Sequence, residues 1–495
     1  MTEESAQARH TAGIGRPGFI ARHRLWSEAQ TQAAGDLLQR ARQGDLRTIR
    51  LAFADQHGVL RGKTVVADML EGVLSNGCSM TTTLLLKDTA QKTVYPVWRG
   101  GSSESAPGLR SASDFVWVPD PTTFRRLPWS PGAAWLLGDC YFQDGTPVPF
   151  CTRHLCRRAL ERLSARGLRF LAGLELEFHI FRLADPRLEP RDCGQPPQPP
   201  DVRMLAHGYQ YLADNRFDEL EPVLEELRAT LLALGLPLRT MEVEMGPSQC
   251  ELTFAAVEGL AGADNVVLAR GAIKQVCRRS GYHATFMCRP ALANIASSGW
   301  HLHQSLTDAA TGDNAFVSSD PSELLSPCGR QFVAGLLENA RAACILAVPT
   351  INGYKRFRPY SLAPDRVVWG ADNRGAMVRV LGAPCDPMTH LENRIGESAA
   401  NPYLYFSSQV VSGLDGVTRE LEPPMPADAP YDAAAQALPA SLVEAIGEWR
   451  QSSLFRRELG DAFVDYLVRI KEFEVHRFLS EEVTDWEQRE YFELM

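Results

Sequence analysis

The sequence predicts an α+β fold in two parts, a small and mostly β unit followed by a larger unit of mixed strands and helices. Two observations predict it. Short runs that alternate apolar and polar residues, the pattern of half-buried strands, begin near Arg47 and recur as far as Arg394. Stretches with helical periodicity appear only after about residue 150. At 495 residues, 45% of them hydrophobic, the chain can bury more than one core.

Residues 1–40 read as a polar N-terminal arm. The first unit, 41–145, opens with the alternating strand Thr48-Ile-Arg-Leu-Ala-Phe-Ala54. Asp55-Gln-His-Gly58 is a turn signal, and Val59-Leu-Arg-Gly-Lys-Thr-Val-Val66 returns as a second strand. A further strand, Phe115-Val-Trp-Val118, stops at Pro119-Asp-Pro121. The second unit, 146–495, starts with an amphipathic helix over 153–166 that places Leu155, Ala159, Leu160 and Leu163 on one side. Residues 186–200 form a proline-rich loop. Helices are expected at 219–234, 258–279 and 329–346. The linker Glu422-Pro-Pro-Met-Pro426 precedes a C-terminal helical region from about Ser441.

Composition excludes several function classes. The formal net charge of -9 gives no electrostatic case for nucleic-acid binding. The 11 cysteines contain no CxxC pair and no regular spacing, which suits reduced thiols in a cytoplasmic protein. No signal peptide and no apolar run of roughly 18 residues is present, so neither export nor a membrane span is expected.

The strands of the second unit carry charge on one face. In Gly173-Leu-Glu-Leu-Glu-Phe-His-Ile-Phe181, Leu174, Leu176, Phe178 and Ile180 form one side, and Glu175, Glu177 and His179 the other. Such a strand is either an amphipathic edge facing water or one wall of a cation site. Met241-Glu-Val-Glu-Met-Gly-Pro-Ser-Gln-Cys-Glu251 repeats the theme, and a hairpin at Gly-Pro would bring Glu244 near Glu251. In Gly299-Trp-His-Leu-His-Gln-Ser-Leu306, His301, His303 and Ser305 share a side, as a metal pair or as hydrogen-bonded core histidines. His390-Leu-Glu-Asn-Arg394 aligns His390, Glu392 and Arg394. Burying this many carboxylates costs several kcal/mol each unless they are paired or ligating. Carboxylates with an imidazole suit a hard divalent ion, Mg²⁺ or Mn²⁺. Arg356, Arg358, Arg374 and Arg379 follow the histidine strand and suit phosphate or carboxylate oxygens. No Walker-type GxxxxGK[ST] is present, so a nucleotide would be held by metals and arginines.

The order of these segments resembles the glutamine synthetase family: Gly-x-Glu-x-Glu-Phe, Glu-x-Gly-Pro-x-Gln-x-Glu, Gly-x-His-x-His-x-Ser, Pro-Thr-x-Asn-x-Tyr-Lys-Arg, Asn-Arg, then Glu-x-Arg before Asn-Pro-Tyr. The resemblance runs from about Arg47 to Val483-Thr-Asp-Trp-Glu487. It implies an N-terminal β-grasp domain and a C-terminal catalytic domain built on a curved antiparallel sheet with helices behind it. It also implies homo-oligomeric rings, hexameric or dodecameric, whose active sites are completed by a neighbouring subunit. ATP and two or more Mg²⁺ or Mn²⁺ ions per site are implied as cofactors, with glutamate and an amine as substrates. By the same resemblance, Glu177, Glu244 and Glu251 hold one metal, and Glu175, His301 and Glu392 the other. Arg356 and Arg394 bind glutamate, Arg374 and Arg379 the phosphates, and His303 with Ser305 the nucleotide side. The implied reaction is ligation through a γ-glutamyl phosphate.

The chain also departs from the family pattern. Ammonia-using members carry a flap glutamate just before an Ala-Pro pair, and here that position is Leu362. Asp88 is the candidate for the amine-binding aspartate of the N-terminal loop, although its flanks match the family poorly. His390 stands where an arginine is usual, and Ala296-Ser297 replaces Asn-Gly. Ammonia and alkylamines are cations at pH 7 and need an anionic pocket and a base, whereas an aromatic amine is already neutral. The leucine therefore favours an apolar or aniline-like amine. The alternatives are ammonia or a polyamine, with another carboxylate substituting, or a non-catalytic structural relative, which would lack metal ligands. Tyr431, in Ala-Pro-Tyr-Asp432, matches a tyrosine that some relatives adenylylate, although exposed tyrosines in such loops are common.

Overall fold

A computed structural model describes residues 17–96, 108–109 and 112–493. The chain divides into two compact units: Met1–Phe53, Arg61–Thr82 and Ser113–Val148 form one, and Ala54–Leu60, Thr83–Ala112 and Pro149–Met495 the other.

The smaller unit is built on the strands β1 (Thr48–Ala54), β2 (Leu60–Val66), β3 (Cys78–Thr81), β4 (Asp114–Pro119), β5 (Arg125–Arg126) and β6 (Ala133–Tyr141). Their order is β2-β1-β6-β4-β3, with β5 beside β6. The central strand β6 runs parallel to β1 and antiparallel to β4. Every residue of β6 is buried. A strand covered on both faces has no reason to alternate, so its sequence lacks the period of two that marked β1.

Of the predicted polar arm, residues 1–16 lie outside the described residues. The rest is helical, at Phe19–His23 and Glu28–Arg42. Ser27 starts the longer helix with a reciprocal capping box to Gln30. Phe19 and Ile20 pack with Val116, Val118 and Tyr141, so a mostly polar segment is anchored by two apolar side chains.

The larger unit holds β7 (Leu168–Asp185), β8 (Asp201–Arg203), β9 (Leu238–Val243), β10 (Gln249–Glu258), β11 (Tyr282–Thr285), β12 (Trp300–Asp308), β13 (Trp369–Ala371), β14 (Val378–Leu381) and β15 (His390–Asn393). They form one sheet in the order β13-β14-β15-β12-β7-β10-β9, and β8 and β11 also pair with β7. The expected helices are present at Thr152–Ser164, Asp214–Ala233 and Leu260–Arg279. The stretch predicted as one helix over 329–346 is two, Pro327–Glu338 and Ala340–Ala347. It breaks at Asn339, whose side-chain amide donates to the Gly335 carbonyl at 3.0 Å. The C-terminal region is helical from Leu442.

The helix Pro402–Thr418 is buried along most of its length and lies against the apolar side of the sheet. Tyr405 meets Trp300 edge-on at 5.0 Å, and Phe406 meets Phe170 at 5.6 Å. Gly335 lets the Pro327–Glu338 helix approach it closely, since a Cβ there would sit 2.1 Å from the Ser412 carbonyl. The apolar side of the sheet is thus fully used by the core, and the charged side is left for chemistry. Among the described residues no helix is long and apolar enough to cross a membrane. Among the described residues no cysteine forms a disulfide.

Candidate active site

Strand register explains why the charged side chains meet. Antiparallel pairing sets Glu175 opposite His301 and Glu177 opposite Glu251. It sets His303 opposite Glu392, and Glu392 opposite Arg379. Directly opposed residues project to the same face, so side chains far apart in sequence line one cavity. Leu174, Leu176, Phe178, Leu252, Trp300 and Leu302 fill the core behind them. Glu177, Glu251, His301, Glu392, Arg356, Arg379 and Arg394 are all buried.

Glu175 sits between two imidazoles. Its Oε1 contacts His301 Nδ1, and its Oε2 lies 3.2 Å from His303 Nε2. Burial would raise this carboxyl, but the charge of His301 and hydrogen bonds from both histidines outweigh it and hold it below the usual carboxylate range. Glu392 behaves alike: burial is outweighed by His301, Arg394 and His303. Its Oε2 accepts from Arg379 Nη1 at 3.1 Å, and its Oε1 pairs with Arg394.

The other corner is different. Burial and the neighbouring Glu177 push Glu244 up to about 8. Burial and the charges of Glu175 and Glu177 push Glu251 up to about 12. These carboxylates repel one another, and a cation between them would relieve that repulsion. Ligand atoms of Glu175, Glu251 and His301 lie within 4.8 Å of one another, as do those of Glu175, His303 and Glu392. Oxygen donors with imidazole suit a hard divalent ion, so the donor set fits one. The grouping differs from the expected division: Glu175 belongs to both clusters, Glu251 stands with Glu175 and His301 while Glu177 and Glu244 are in neither cluster, and His303, expected on the nucleotide side, stands with Glu175 and Glu392.

The arginines form a linked chain. Arg356 Nη1 donates to the Arg394 carbonyl at 2.9 Å, and its Nη2 lies 3.2 Å from His301 Nε2. Only glycine at 299 leaves room for this guanidinium, since a Cβ would come within 2.4 Å of Nη2. Arg394 Nε donates to the Arg374 carbonyl at 3.0 Å, and its Nη2 to the Leu362 carbonyl at 3.3 Å. Arg379 Nε donates to Asp372 at 3.0 Å. The Arg374 side chain is exposed. Ser305 is buried two residues beyond His303 on β12.

Leu362 is 60% exposed at a φ of 60°, on the loop that Arg394 grips. Tyr431 donates its hydroxyl to the Ala363 carbonyl at 3.2 Å and packs against Tyr360, so it braces this loop. Asp88 is not brought to the cage. It is fully buried, 3.1 Å from Arg477 Nε, and accepts from the Lys92 amide at 2.7 Å.

Gln249, Glu242 and Tyr211 had no role in the sequence reading, and His390 was noted there only for its alignment with Glu392 and Arg394 and for replacing a usual arginine. Gln249 is buried, and its Nε2 donates to Glu177 Oε2 at 3.0 Å and to Ser298 Oγ at 3.1 Å. Its Oε1 accepts from the Gly246 amide at 2.9 Å, so one amide ties the β9–β10 turn to β7. The Gln of the Gly-Pro-x-Gln-x-Glu motif was the available signal. Glu242, not Glu244, is the register partner of Glu251. His390 Nε2 lies 3.0 Å from His303 Nδ1 while its Nδ1 donates to the Met388 carbonyl at 2.7 Å. Tyr211 is half-exposed, and burial with the charges of Glu244, Glu251 and Glu242 pushes its phenol up to about 12.

The chain is similar to known proteins. The family model described as glutamine synthetase, catalytic domain, matches residues 149–491. The chain is 42% identical to the gamma-glutamylanilide synthase of Acinetobacter sp, over 96% of this chain and 99% of that one. It is 34% identical to the gamma-glutamylethanolamide synthetase of Streptomyces coelicolor, over 91% of this chain and 94% of that one. A solved GmaS/ADP complex superposes with a TM-score of 0.76 at 25% identity, over 92% of this chain and 99% of that one.

Proposed function

This chain belongs to the glutamine synthetase family, and from that premise we propose that it is an ATP-dependent ligase joining the γ-carboxylate of glutamate to an apolar or aromatic amine. Arg356 and Arg394, locked through the Arg394 carbonyl, bind and orient glutamate. A γ-carboxylate oxygen attacks the terminal phosphorus of ATP, ADP leaves, and Arg374 and Arg379 neutralise charge on the phosphoryl oxygens as it moves. The amine nitrogen then attacks the activated carbonyl, phosphate departs, and the nitrogen loses a proton.

Glu177, Glu244 and Glu251 on one side, and Glu175, His301 and Glu392 on the other, would hold Mg²⁺ or Mn²⁺, two or more per site. These ions supply charge neutralisation for phosphoryl transfer. Gln249 holds the Glu177 carboxylate in place. Ser305, two residues beyond His303 on the same strand, lines the nucleotide side, and His303 stands with the Glu175–Glu392 cluster.

The observation that carries the choice of amine is Leu362. An exposed leucine occupies the flap, over a loop gripped by Arg394, where ammonia-using relatives carry a carboxylate. A neutral aryl amine needs no such base, and apolar walls favour it. The likeness to a gamma-glutamylanilide synthase supports the same reading. With it go a β-grasp N-terminal domain over 41–145, a catalytic domain over 146–495, homo-oligomeric rings and a cytoplasmic location. Phosphate release measured with glutamate, ATP and a panel of anilines, alkylamines, polyamines and ammonia tests the reading. Anilines or apolar amines giving the highest kcat/KM is the expected result; ammonia or a polyamine clearly ahead of them overturns it.

A further inference from the structure

Residues 205–212 form a strap across the hairpin that carries Glu244. The Leu205 amide donates to Ser248 Oγ at 2.6 Å, the Tyr209 amide to the Met245 carbonyl at 2.7 Å, and the Leu212 amide to the Val243 carbonyl at 3.4 Å. The last two bonds bracket Glu244, so Gln210 and Tyr211 lie directly across from it. The Tyr209 hydroxyl pins the strap again, donating to the Asn294 carbonyl at 3.0 Å.

Tyr209 and Leu212 adopt φ values of 69° and 58°, in the left-handed region that side-chain-bearing residues avoid. Strain of this kind persists only where surrounding bonds over-determine it, and it concentrates at ligand sites. The strap presents an apolar surface beside Glu244. Tyr209, Tyr211, Leu212 and Met245 are all exposed there. The bonds to the Met245 and Val243 carbonyls set Tyr211 beside Glu244, close enough that, beyond burial, Glu244, Glu251 and Glu242 raise its phenol.

We propose that Tyr211 is a specificity-determining residue for the amine, its ring forming the wall on which the aryl group of the substrate lies while the nitrogen points to the Glu244–Glu251 side. The inference rests on the aryl-amine reading above. Offset stacking of two aromatic rings is stronger than contact of either ring with an aliphatic group of the same area. A protonated alkylamine could instead use the ring face as a cation–π partner, so the two modes make different demands on the amine.

Steady-state kinetics of the full-length enzyme with aniline, cyclohexylamine and ammonia separate them. Tyr211→Phe keeps the ring and leaves KM for aniline within about twofold of wild type. Tyr211→Ala raises KM for aniline about five- to tenfold, with Tyr211→Leu in between. KM for glutamate and ATP stays within about twofold throughout. Should Tyr211→Ala not fold by circular dichroism, the Phe and Leu variants carry the comparison. Equal losses for aniline and cyclohexylamine, or a raised KM for glutamate, overturn the proposal while leaving the aryl-amine reading intact. A wild-type enzyme that ligates ammonia but not aniline overturns both.

Discussion

Two buried charged clusters occupy the larger unit, and they are built on opposite balances. Near the C-terminal helix Asp461–Glu481, every acid meets a base: Asp88 lies 3.1 Å from Arg477, and Glu474 lies 3.0 Å from Lys471. The cage has a balanced corner too, where Arg379 and Arg394 serve Glu392. Its other corner, with Glu177, Glu244 and Glu251, meets no arginine or lysine ion pair among the described residues, and Glu244 and Glu251 are pushed up. The contrast teaches that burial alone does not mark a site. A closed charge balance marks structure, and an open one marks where a ligand must bring the missing charge.

The sharpest way to break the comparison is to remove one charge from each cluster. Arg374→Ala removes an exposed cation beside the cage. Activity is expected to fall roughly 10³-fold or more, with Tm unchanged. Arg477→Met leaves Asp88 buried and unpaired, with an expected loss of about 3–5 kcal/mol in stability and kcat of the folded enzyme retained. Urea unfolding and initial rates on both variants check this. The comparison fails if both variants lose the same property.

A smaller effect sharpens it. Gln249→Leu frees the Glu177 carboxylate without removing a charge, so metal affinity is expected to drop about 10- to 100-fold. Mn²⁺ binding followed by electron paramagnetic resonance measures it; unchanged affinity would deny Gln249 a positioning role. A further test is in pH. Glu244 rises in the folded state from 4.5 to about 8, so its contribution is fully present below pH 4.5 and is lost as pH climbs through about 8. Metal-free protein is therefore expected to lose stability across that window, and saturating Mg²⁺ to flatten the slope. A metal-free Tm that rises from pH 5 to 8 contradicts this.

Much of the cage can be read directly from the chain because β7 and β12 alternate with a period of two, which assigns each glutamate and histidine to a face. Register cannot be read that way. Glu251 pairs with Glu242, while Glu244 lies past the end of β9 in the turn. Nor does periodicity reveal β6, which is buried on both faces and so does not alternate. The helix of the arm also went unread, because its polar surface hid a capping box at Ser27 and Gln30. Asp88 resisted reading because its partner, Arg477, lies 389 residues away. Local sequence identifies charged residues, but whether their charge is already balanced depends on contacts only the folded chain makes.

The central claim is that the open corner of the cage is a divalent-cation site. Mn²⁺ titration of the wild type and of Glu251→Gln, with Arg477→Met as the control, tests it most directly. The wild type and Arg477→Met are expected to bind Mn²⁺ alike, and Glu251→Gln on the order of 100-fold more weakly. A Glu251→Gln titration that overlays the wild type would contradict the account.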